Sequence, residues 1–264
     1  MHQFDQDILF APGEPFSFSG HITDNWSINT VPDGGYLMAI IAKAMMHHSD
    51  MKSTPIITAN FLNRCEPGDA KVIIEQMSAS RQFKRFQGSL WQKGKERIRA
   101  FGTFTDESNE CFIKRSEASC PEMAELEKCI SVPEISNYPL FSRMDIRLDP
   151  VCTDWWYGKL SDTSESKGWI KFKKNRPYDL LSILLIADSF PPAVLSSQGM
   201  AAWVPTIELS VNIRKIPTTA WLKCSFRTRF ITCGFLEEDG EIWDQEDELI
   251  AISRQIAQYR AQTK

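Results

Sequence analysis

The stretch RPYDLLSILLIADSFPPAV, residues 176–194, contains one of two strongly apolar helical segments in the chain. We predict a helix over 178–190, entered through Pro177 and ended by the Pro-Pro pair, because proline suits the first turn of a helix and breaks its interior. Asp188 lies within this apolar run. Burying an unpaired carboxylate is costly, so we expect it either to complete a polar network near the helix end or to act as a functional acid.

The corresponding segment of the first half is DGGYLMAIIAKAMMHH, residues 33–48. Asp33 is a suitable N-cap, and His47 and His48 suit the negative C-terminal end of a helix. Apolar residues cover more than one face of this segment. The pattern therefore predicts a helix that is surrounded by protein.

Each apolar helix is followed by segments with the alternation and turn residues of β-strands. In the first half these segments are 55–64, 70–80, 83–94 and 95–105, and in the second they are 204–215, 220–232, a segment around 235–244, and 248–260. A helix followed by a meander favours an antiparallel sheet wrapped around that helix over a doubly wound parallel sheet. Because the layout occurs twice, the sequence predicts an α+β protein built by internal duplication.

The two copies define two predicted units. The N-terminal unit covers 1–125 and the C-terminal unit covers 141–264, with a polar connector at about 106–140 that includes a short helix at 121–129. Strands are also predicted at 143–148, 154–160 and 167–172, before the second helix, with 16–28 as their counterpart in the first unit.

The composition argues against several classes of protein. A net charge of −4 without a basic stripe disfavours binding to nucleic acid. No run reaches the roughly 18 apolar residues of a membrane span, and the N-terminal segment lacks the pattern of a signal peptide. The seven cysteines form no C-x-x-C pair, which predicts reduced thiols in a cytoplasmic protein rather than disulfides or a zinc site.

The common catalytic motifs are also missing from the sequence. It contains no G-x-S-x-G elbow, no P-loop and no G-x-G-x-x-G dinucleotide motif. Four histidines offer few candidates for imidazole-based metal or triad chemistry. The sequence therefore predicts neither a metal nor a cofactor.

A helix wrapped by an antiparallel sheet and duplicated in one chain resembles the double hot-dog fold of acyl-CoA thioesterases. GHITDNWSINTVPDGGYLMAIIAKA, residues 20–44, is similar to the N-terminal signature of that family, in which a Gly-Gly pair opens the first helix. FLNRCEPGD, residues 61–69, is similar to a family strand end, and LLSILLIADSFPPAVL, residues 180–195, resembles the catalytic helix of the type II thioesterases. The resemblance implies two tandem antiparallel sheets, each wrapped around a central apolar helix.

The resemblance also implies a catalytic set. Asp188 stands where the family has its general-base aspartate, Thr206 stands at the position of a catalytic threonine, and Gln255 at that of a catalytic glutamine. Taken alone, a strand threonine is usually a β-propensity choice and a strand glutamine usually faces solvent. Together they offer a hydroxyl and an amide able to hold a water in line with the carboxylate. One departure is Thr58, which lies near the position of a family histidine.

Gly34 and Gly35 have two interpretations of equal weight. Their backbone N–H groups at a helix start are candidate donors to an oxyanion, or the glycines simply let the sheet pack close to the helix. Five basic residues are candidates to bind the phosphates of CoA, although an ordinary charged strand face explains any one of them better: Arg81, Lys84, Arg85, Arg214 and Lys215.

The expected activity is hydrolysis of acyl-CoA to free fatty acid and CoA by a water that Asp188 activates. The alternative is a non-catalytic acyl-CoA or acyl-carrier binding protein on the same fold. A hot-dog hydratase is disfavoured because no histidine follows Asp188. The resemblance further implies that double hot-dog protomers form a homo-oligomer.

Overall fold

The computed structural model describes residues 1–106, 113 and 115–261. Within this part of the chain the α-helices are α1 (Gln3–Asp7), α2 (Gly34–His48), α3 (Pro139–Arg143), α4 (Leu180–Ile186) and α5 (Leu195–Gln198). The strands of the first half are β1 (Ala11–Pro12), β2 (Ser17–Ile22), β3 (Ser27–Ile28), β4 (Val31–Pro32), β5 (Ser53–Phe61), β6 (Gly68–Ala79), β7 (Phe83–Gln92) and β8 (Lys95–Thr105). Those that follow are β9 (Ile130–Ser131), β10 (Met144–Leu148), β11 (Ser164–Phe172), β12 (Ala201–Trp203), β13 (Thr206–Ile213), β14 (Leu222–Thr228), β15 (Ile231–Thr232), β16 (Phe235–Trp243), β17 (Leu249–Gln258) and β18 (Arg260–Ala261).

Fourteen strands of the described chain form one continuous antiparallel sheet. Its order is β1-β2-β6-β7-β8-β5-β13-β17-β16-β14-β11-β10-β9, with β15 paired to β16. Two short ribbons, β3–β4 and β12–β18, lie outside it.

The two tandem sheets expected from the sequence are not confirmed, because the halves share this single sheet. Strand β5 of the first half pairs with β13 of the second, so that Thr58 stands opposite Ser210. Their hydroxyl oxygens lie 2.8 Å apart across the seam, the line along which β5 and β13 pair. Two separate sheets would each expose an edge strand with unpaired backbone groups, and pairing β5 with β13 satisfies both edges at once.

The apolar helices α2 and α4 form the centre of the core. All residues of α2 from Gly35 to Met45 are buried except the half-buried Lys43, as the apolar pattern predicted. A Cβ atom on Gly35 would lie only 2.2 Å from the carbonyl oxygen of Leu184 in α4. The glycine therefore permits the close approach of the two helices.

Helix α4 is shorter than the predicted 178–190. It begins at Leu180, because the Asp179 side chain accepts a hydrogen bond from the Ser182 backbone while the Ser182 hydroxyl accepts one from the Asp179 backbone. It ends at Ile186, and the Asp188 N–H bonds to the Leu185 carbonyl at 3.2 Å in a tightened turn. The Ser189 hydroxyl also donates to the Leu185 carbonyl at 2.7 Å, and the Pro-Pro pair then prevents the helix from continuing.

The segments around α4 agree with the predictions to different degrees. The predicted strands 143–148 and 167–172 correspond to β10 and β11. The predicted strand 154–160 is wrong, because Asp154–Tyr157 form a 3₁₀ helix that ends at the left-handed Gly158. The predicted helix 121–129 is reduced to a 3₁₀ turn at Leu126–Lys128, and part of the predicted connector, residues 107–112 and 114, lies outside the described residues. No helix in the described ranges is long and apolar enough to cross a membrane.

Candidate active site

Asp188 lies where the start of α2 meets the turn after α4. Its Oδ2 atom accepts hydrogen bonds from the backbone N–H groups of Gly34, at 2.9 Å, and Gly35, at 3.2 Å. Residues more than 150 positions apart in sequence thus form one contact. The first N–H groups of a helix lack partners within the helix and carry partial positive charge, so this is a favourable place for a carboxylate.

The start of α2 is shaped to receive that carboxylate. Asp33 caps the helix by accepting a hydrogen bond from the Tyr36 N–H at 2.9 Å, which leaves the N–H groups of Gly34 and Gly35 directed at Asp188. A Cβ atom on Gly34 would lie 2.7 Å from Asp188 Oδ2 and 2.8 Å from the Phe61 ring. A side chain at position 34 would therefore displace the carboxylate or the ring.

These contacts bear on both interpretations of the two glycines. The donors proposed for an oxyanion are bound to Asp188 in this structure. The close packing at Gly35 is against helix α4, whereas the sequence suggested packing against the sheet.

Gln255 and Thr206 reach the same carboxylate from the sheet. The Gln255 amide nitrogen donates to Asp188 Oδ1 at 3.4 Å and also to the Thr206 hydroxyl. A register shift in β13 between Thr206 and Glu208 brings the start of that strand beside the end of β17. The structure therefore brings the three residues of the predicted catalytic set, Asp188, Thr206 and Gln255, into one network, together with the two glycines.

Burial weakens the acidity of two carboxyl groups in this network. It raises the pKa of Asp188 from its ordinary value of 3.8 to about 6, although the N–H groups of Gly35 and Gly34 oppose the shift. The pKa of Asp33 is raised well above its ordinary value, first by burial and then by the negative charge of Asp188. An acid with a pKa near 6 is largely ionised at neutral pH and is still basic enough to accept a proton, as a general base requires.

Glu238 is an acidic residue that the sequence analysis missed. It lies in β16 directly opposite Gln255 of β17, is 8% exposed, and accepts a hydrogen bond from the Ala193 N–H at 2.6 Å. Burial, opposed by that hydrogen bond, raises its pKa to about 7, and the charge of Asp188 adds to the rise. The alternation of β16 contained the signal, since Leu236, Glu238 and Ile242 share the buried face of the strand.

The basic candidates for CoA phosphates lie away from Asp188. Lys84 pairs with Asp50 at 2.6 Å, just beyond the C-terminal end of α2, whereas Asp188 binds the other end of that helix. At 1.5 Å per residue, the ends of α2 are about 22 Å apart. Lys215 pairs with Glu248 at 2.5 Å beyond the end of β13, the strand whose first residue is Thr206. The remaining candidates accompany these two: Arg81 and Arg85 with Lys84, and Arg214 with Lys215.

The described residues contain no group of three His, Cys, Asp or Glu side chains arranged to hold a metal ion. The chemistry available from the arrangement is that of a carboxylate, an amide and a hydroxyl on one side, with helix N–H groups on the other. Such a set is able to hold a water, remove its proton and stabilise developing negative charge.

Comparison with known proteins identifies the family. Residues 22–105 match the model of the acyl-CoA thioesterase N-terminal domain, and residues 118–259 match that of the acyl-CoA thioesterase C-terminal domain. The chain belongs to the acyl-CoA thioesterase family. The resemblance to double hot-dog acyl-CoA thioesterases that the sequence indicated is thereby confirmed.

Solved structures share the fold of this thioesterase family member over almost its whole length. A proposed thioesterase II of Thermobifida fusca superimposes with a TM-score of 0.89 at 22% identity and covers 98% of both chains. A protein of unknown function with a hot dog fold from Alicyclobacillus acidocaldarius gives a TM-score of 0.88 at 19% identity, covering 100% of each chain. An acyl-CoA thioesterase II of Mycobacterium marinum gives 0.77 at 14% identity, covering 98% of this chain and 99% of that one.

A relative found by sequence comparison is an uncharacterized protein of Mycobacterium tuberculosis. It is 21% identical over 286 residues, covering 95% of this chain and 94% of its own. These similarities support the hot-dog fold predicted from the sequence, here built on one continuous sheet.

Proposed function

We propose that the protein hydrolyses acyl-CoA thioesters to free fatty acid and CoA, with Asp188 as the general base for water. One observation carries this proposal: the Asp188 carboxylate is held between the N–H groups of Gly34 and Gly35 on one side and Gln255 on the other. Its raised pKa and the membership of the acyl-CoA thioesterase family support the same function.

The proposed reaction begins with a water hydrogen-bonded to Asp188 and to the Thr206 hydroxyl. The Thr206 oxygen already accepts from the Gln255 amide, so its O–H remains able to orient the water. Asp188 takes one proton of the water while the oxygen attacks the thioester carbonyl. The tetrahedral intermediate then expels the CoA thiolate, which takes the proton back from Asp188, giving free acid and thiol.

The role of Gly34 and Gly35 changes during the proposed reaction. In the ionised state of Asp188 their N–H groups stabilise the carboxylate. When Asp188 accepts a proton, its charge is lost and so is most of its demand on these donors. Negative charge develops on the substrate oxygen at the same moment. The same two N–H groups would therefore bind Asp188 while it is ionised and the substrate oxyanion once Asp188 is protonated. In this way the predicted oxyanion role is compatible with the hydrogen bonds to Asp188.

The test is hydrolysis of a panel of acyl-CoA chain lengths, followed by release of free thiol, for the wild type and Asp188→Asn. The asparagine keeps the size of the side chain but accepts no proton, so we expect kcat to fall about 10²–10⁴-fold. Glu241→Gln is a matched control, because Glu241 lies on the outer side of β16 and bonds to Trp243.

The outcomes separate the alternatives. Equal turnover by Asp188→Asn and wild type would remove Asp188 as the base and leave thioester hydrolysis standing. No turnover by the wild type on any chain length, together with saturable acyl-CoA binding, would instead favour the non-catalytic binding protein.

A further inference from the structure

Glu238 is a buried acid that lies beside the network around Asp188. Its place in β16 is directly opposite Gln255 in β17, and residues opposite each other in an antiparallel pair have side chains on the same face of the sheet. On its other side, the Ala193 N–H anchors Oε2 at 2.6 Å, five residues after Asp188. Glu238 therefore lies between the strand that carries Gln255 and the loop that follows Asp188.

A small apolar cluster lies next to Glu238 on the inner face of the sheet, where Leu236 of β16 stands opposite Ala257 of β17. Val194, Leu236 and Ala257 are buried together, and partly buried side chains pack against them: Leu195, Val204 and Tyr259. A carboxyl group in such surroundings favours its neutral form, because burial penalises the charge.

The nearby cationic side chains are engaged elsewhere. Arg229 and Arg254 both pair with Asp239, whose side chain points to the opposite face of β16, at 3.1 and 2.6 Å. Glu237, also on that face, accepts hydrogen bonds from the backbone N–H groups of Arg229 and Phe230. Asp188 is the charged group whose negative charge most opposes ionisation of Glu238 among the described residues.

The third neighbour of Glu238 is Thr228 at the end of β14. Arg227 pairs with Asp239, so the same register continued by one residue places Thr228 beside Glu238 on the inner face. Thr228 is 5% exposed, and its hydroxyl oxygen is buried without a hydrogen-bond partner within the described residues. Leaving such a hydroxyl unsatisfied is costly, so it favours a neighbour that both donates and accepts hydrogen bonds, as a neutral carboxyl does.

We propose that Glu238 is a positioning residue, whose neutral carboxyl donates a hydrogen bond to the Gln255 amide oxygen and so keeps the amide nitrogen directed at Asp188 and Thr206. The two ends of an amide occupy similar space, and only the hydrogen bonds around it select the orientation. Asp188 and Thr206 accept at the nitrogen end. Glu238 supplies the donor that the oxygen end requires. This inference rests on the proposed function, because it concerns the orientation of the water that Asp188 activates.

The arrangement has a consequence for the pH dependence of activity. Asp188 must be ionised to accept a proton, and Glu238 must be neutral to donate to Gln255. The active form, with Asp188 ionised and Glu238 neutral, therefore predominates between the pKa of Asp188, about 6, and the pKa of Glu238, about 7. Above about pH 7, the ionised Glu238 repels the amide oxygen of Gln255. It then favours the flipped amide, in which the oxygen instead of the nitrogen is directed at Asp188 and Thr206.

The kinetic test compares the pH profiles of kcat and KM for wild type, Glu238→Gln and Glu241→Gln. For the wild type we expect kcat to decline on the order of tenfold between about pH 7 and 8.5, with little change in KM. Glu238→Gln keeps an acceptor for Ala193 and a permanent N–H donor for Gln255, so the decline should disappear. Glu241→Gln removes one charge from the same strand and should keep the decline.

A purely structural role for Glu238 would lower kcat equally at all pH values or leave the alkaline decline in place. Either result for a folded Glu238→Gln would overturn the proposal.

A second measurement does not depend on activity or on the folding of Glu238→Gln. In protein labelled with ¹³C at the glutamate side-chain carboxyl, NMR should show one glutamate that titrates near pH 7. Asp188→Asn removes the opposing charge and should move this titration to lower pH. The absence of any glutamate titrating near neutral pH would refute the proposal, whereas a failure of the wild type to hydrolyse acyl-CoA would count against the proposed function instead.

Discussion

The two apolar helices meet the candidate active site with opposite ends. Helix α2 has 15 residues and begins at the site, where its first N–H groups carry partial positive charge. Helix α4 has 7 residues and ends just before Asp188, so the carboxylate follows the negative end of its own helix. The second half alone would hold this charge poorly. The comparison indicates that the first half provides electrostatic stabilisation for a carboxylate that the second half carries.

The inner faces of the two halves of the sheet also differ, because one is apolar and the other carries polar side chains at the site. In the first half, Phe86 and Leu90 of β7 face Ile98 and Phe104 of β8, and all four are almost fully buried. In the second half, polar side chains occupy the inner face at the site: Thr206, Glu238 and Gln255. The inner face of the first half therefore supplies apolar packing, whereas the inner face of the second half carries the polar side chains that reach Asp188.

The largest expected effect follows from breaking the contact between the helices with Gly35→Ala. The new Cβ would lie 2.2 Å from the Leu184 carbonyl oxygen, a backbone atom that moves only if α4 moves. We expect a loss of about 3 kcal/mol in the free energy of unfolding, the upper part of the usual range for overpacking. Denaturant titration measures it.

Gly13→Ala serves as the control for Gly35→Ala. The nearest heavy atom to a Cβ there is the Ser17 carbonyl oxygen at 3.8 Å, which is ordinary contact. Equal stability of the Gly35 and Gly13 variants would show that the close approach of α2 and α4 is not needed.

A smaller and more local effect is expected for Gly34→Ala. Its Cβ would meet two side-chain groups, Asp188 Oδ2 at 2.7 Å and the Phe61 ring at 2.8 Å, and both can move. Stability should change by no more than about 1 kcal/mol, since alanine also favours the helix. Displacement of the carboxylate should lower kcat/KM at least about tenfold. Wild-type kcat/KM in this variant would indicate that the contact between Gly34 and Asp188 is dispensable.

The sequence was sufficient where short-range pattern determines the structure. Helix α2 was predicted at 33–48 and occurs at Gly34–His48, because the Asp33 cap and the apolar run both act locally. Strand β6 agrees equally well with the predicted 70–80. The end of α4 was missed since the apolar run continues to Ala187, whereas the last turn tightens after Ile186 through backbone and Ser189 side-chain bonds that the apolar pattern does not reveal.

The features that required the structure join distant parts of the chain. The seam pairs Thr58 with Ser210, which are 152 residues apart, and the bond from Gly34 to Asp188 spans 154 residues. Neither leaves a signal in local periodicity. Glu238 did leave one, an acid on the buried side of an alternating strand, but only the contact with Ala193 and the position opposite Gln255 give it a role.

The smallest expected effect concerns stability and tests how completely α2 compensates the charge of Asp188. The folded state raises the pKa of this group from 3.8 to about 6, so it holds the proton more tightly than the unfolded state does. The resulting stabilisation is complete below pH 3.8 and is lost as the pH rises through about 6. Asp188→Asn carries no charge at any pH, and so it should be more stable than the wild type at pH 8 and nearly equal to it at pH 4.

The pKa shift of Asp188 alone corresponds to a difference of about 3 kcal/mol in the free energy of unfolding between the two proteins. Partial exposure of Asp188 reduces the expected difference to about 1 kcal/mol. Urea titrations of both proteins at the two pH values give the difference directly. If Asp188→Asn were less stable at pH 8, the N–H groups of Gly34 and Gly35 would outweigh the cost of burying the charge. In that case the first half would stabilise the carboxylate completely, and Asp188 would be a weaker base than proposed.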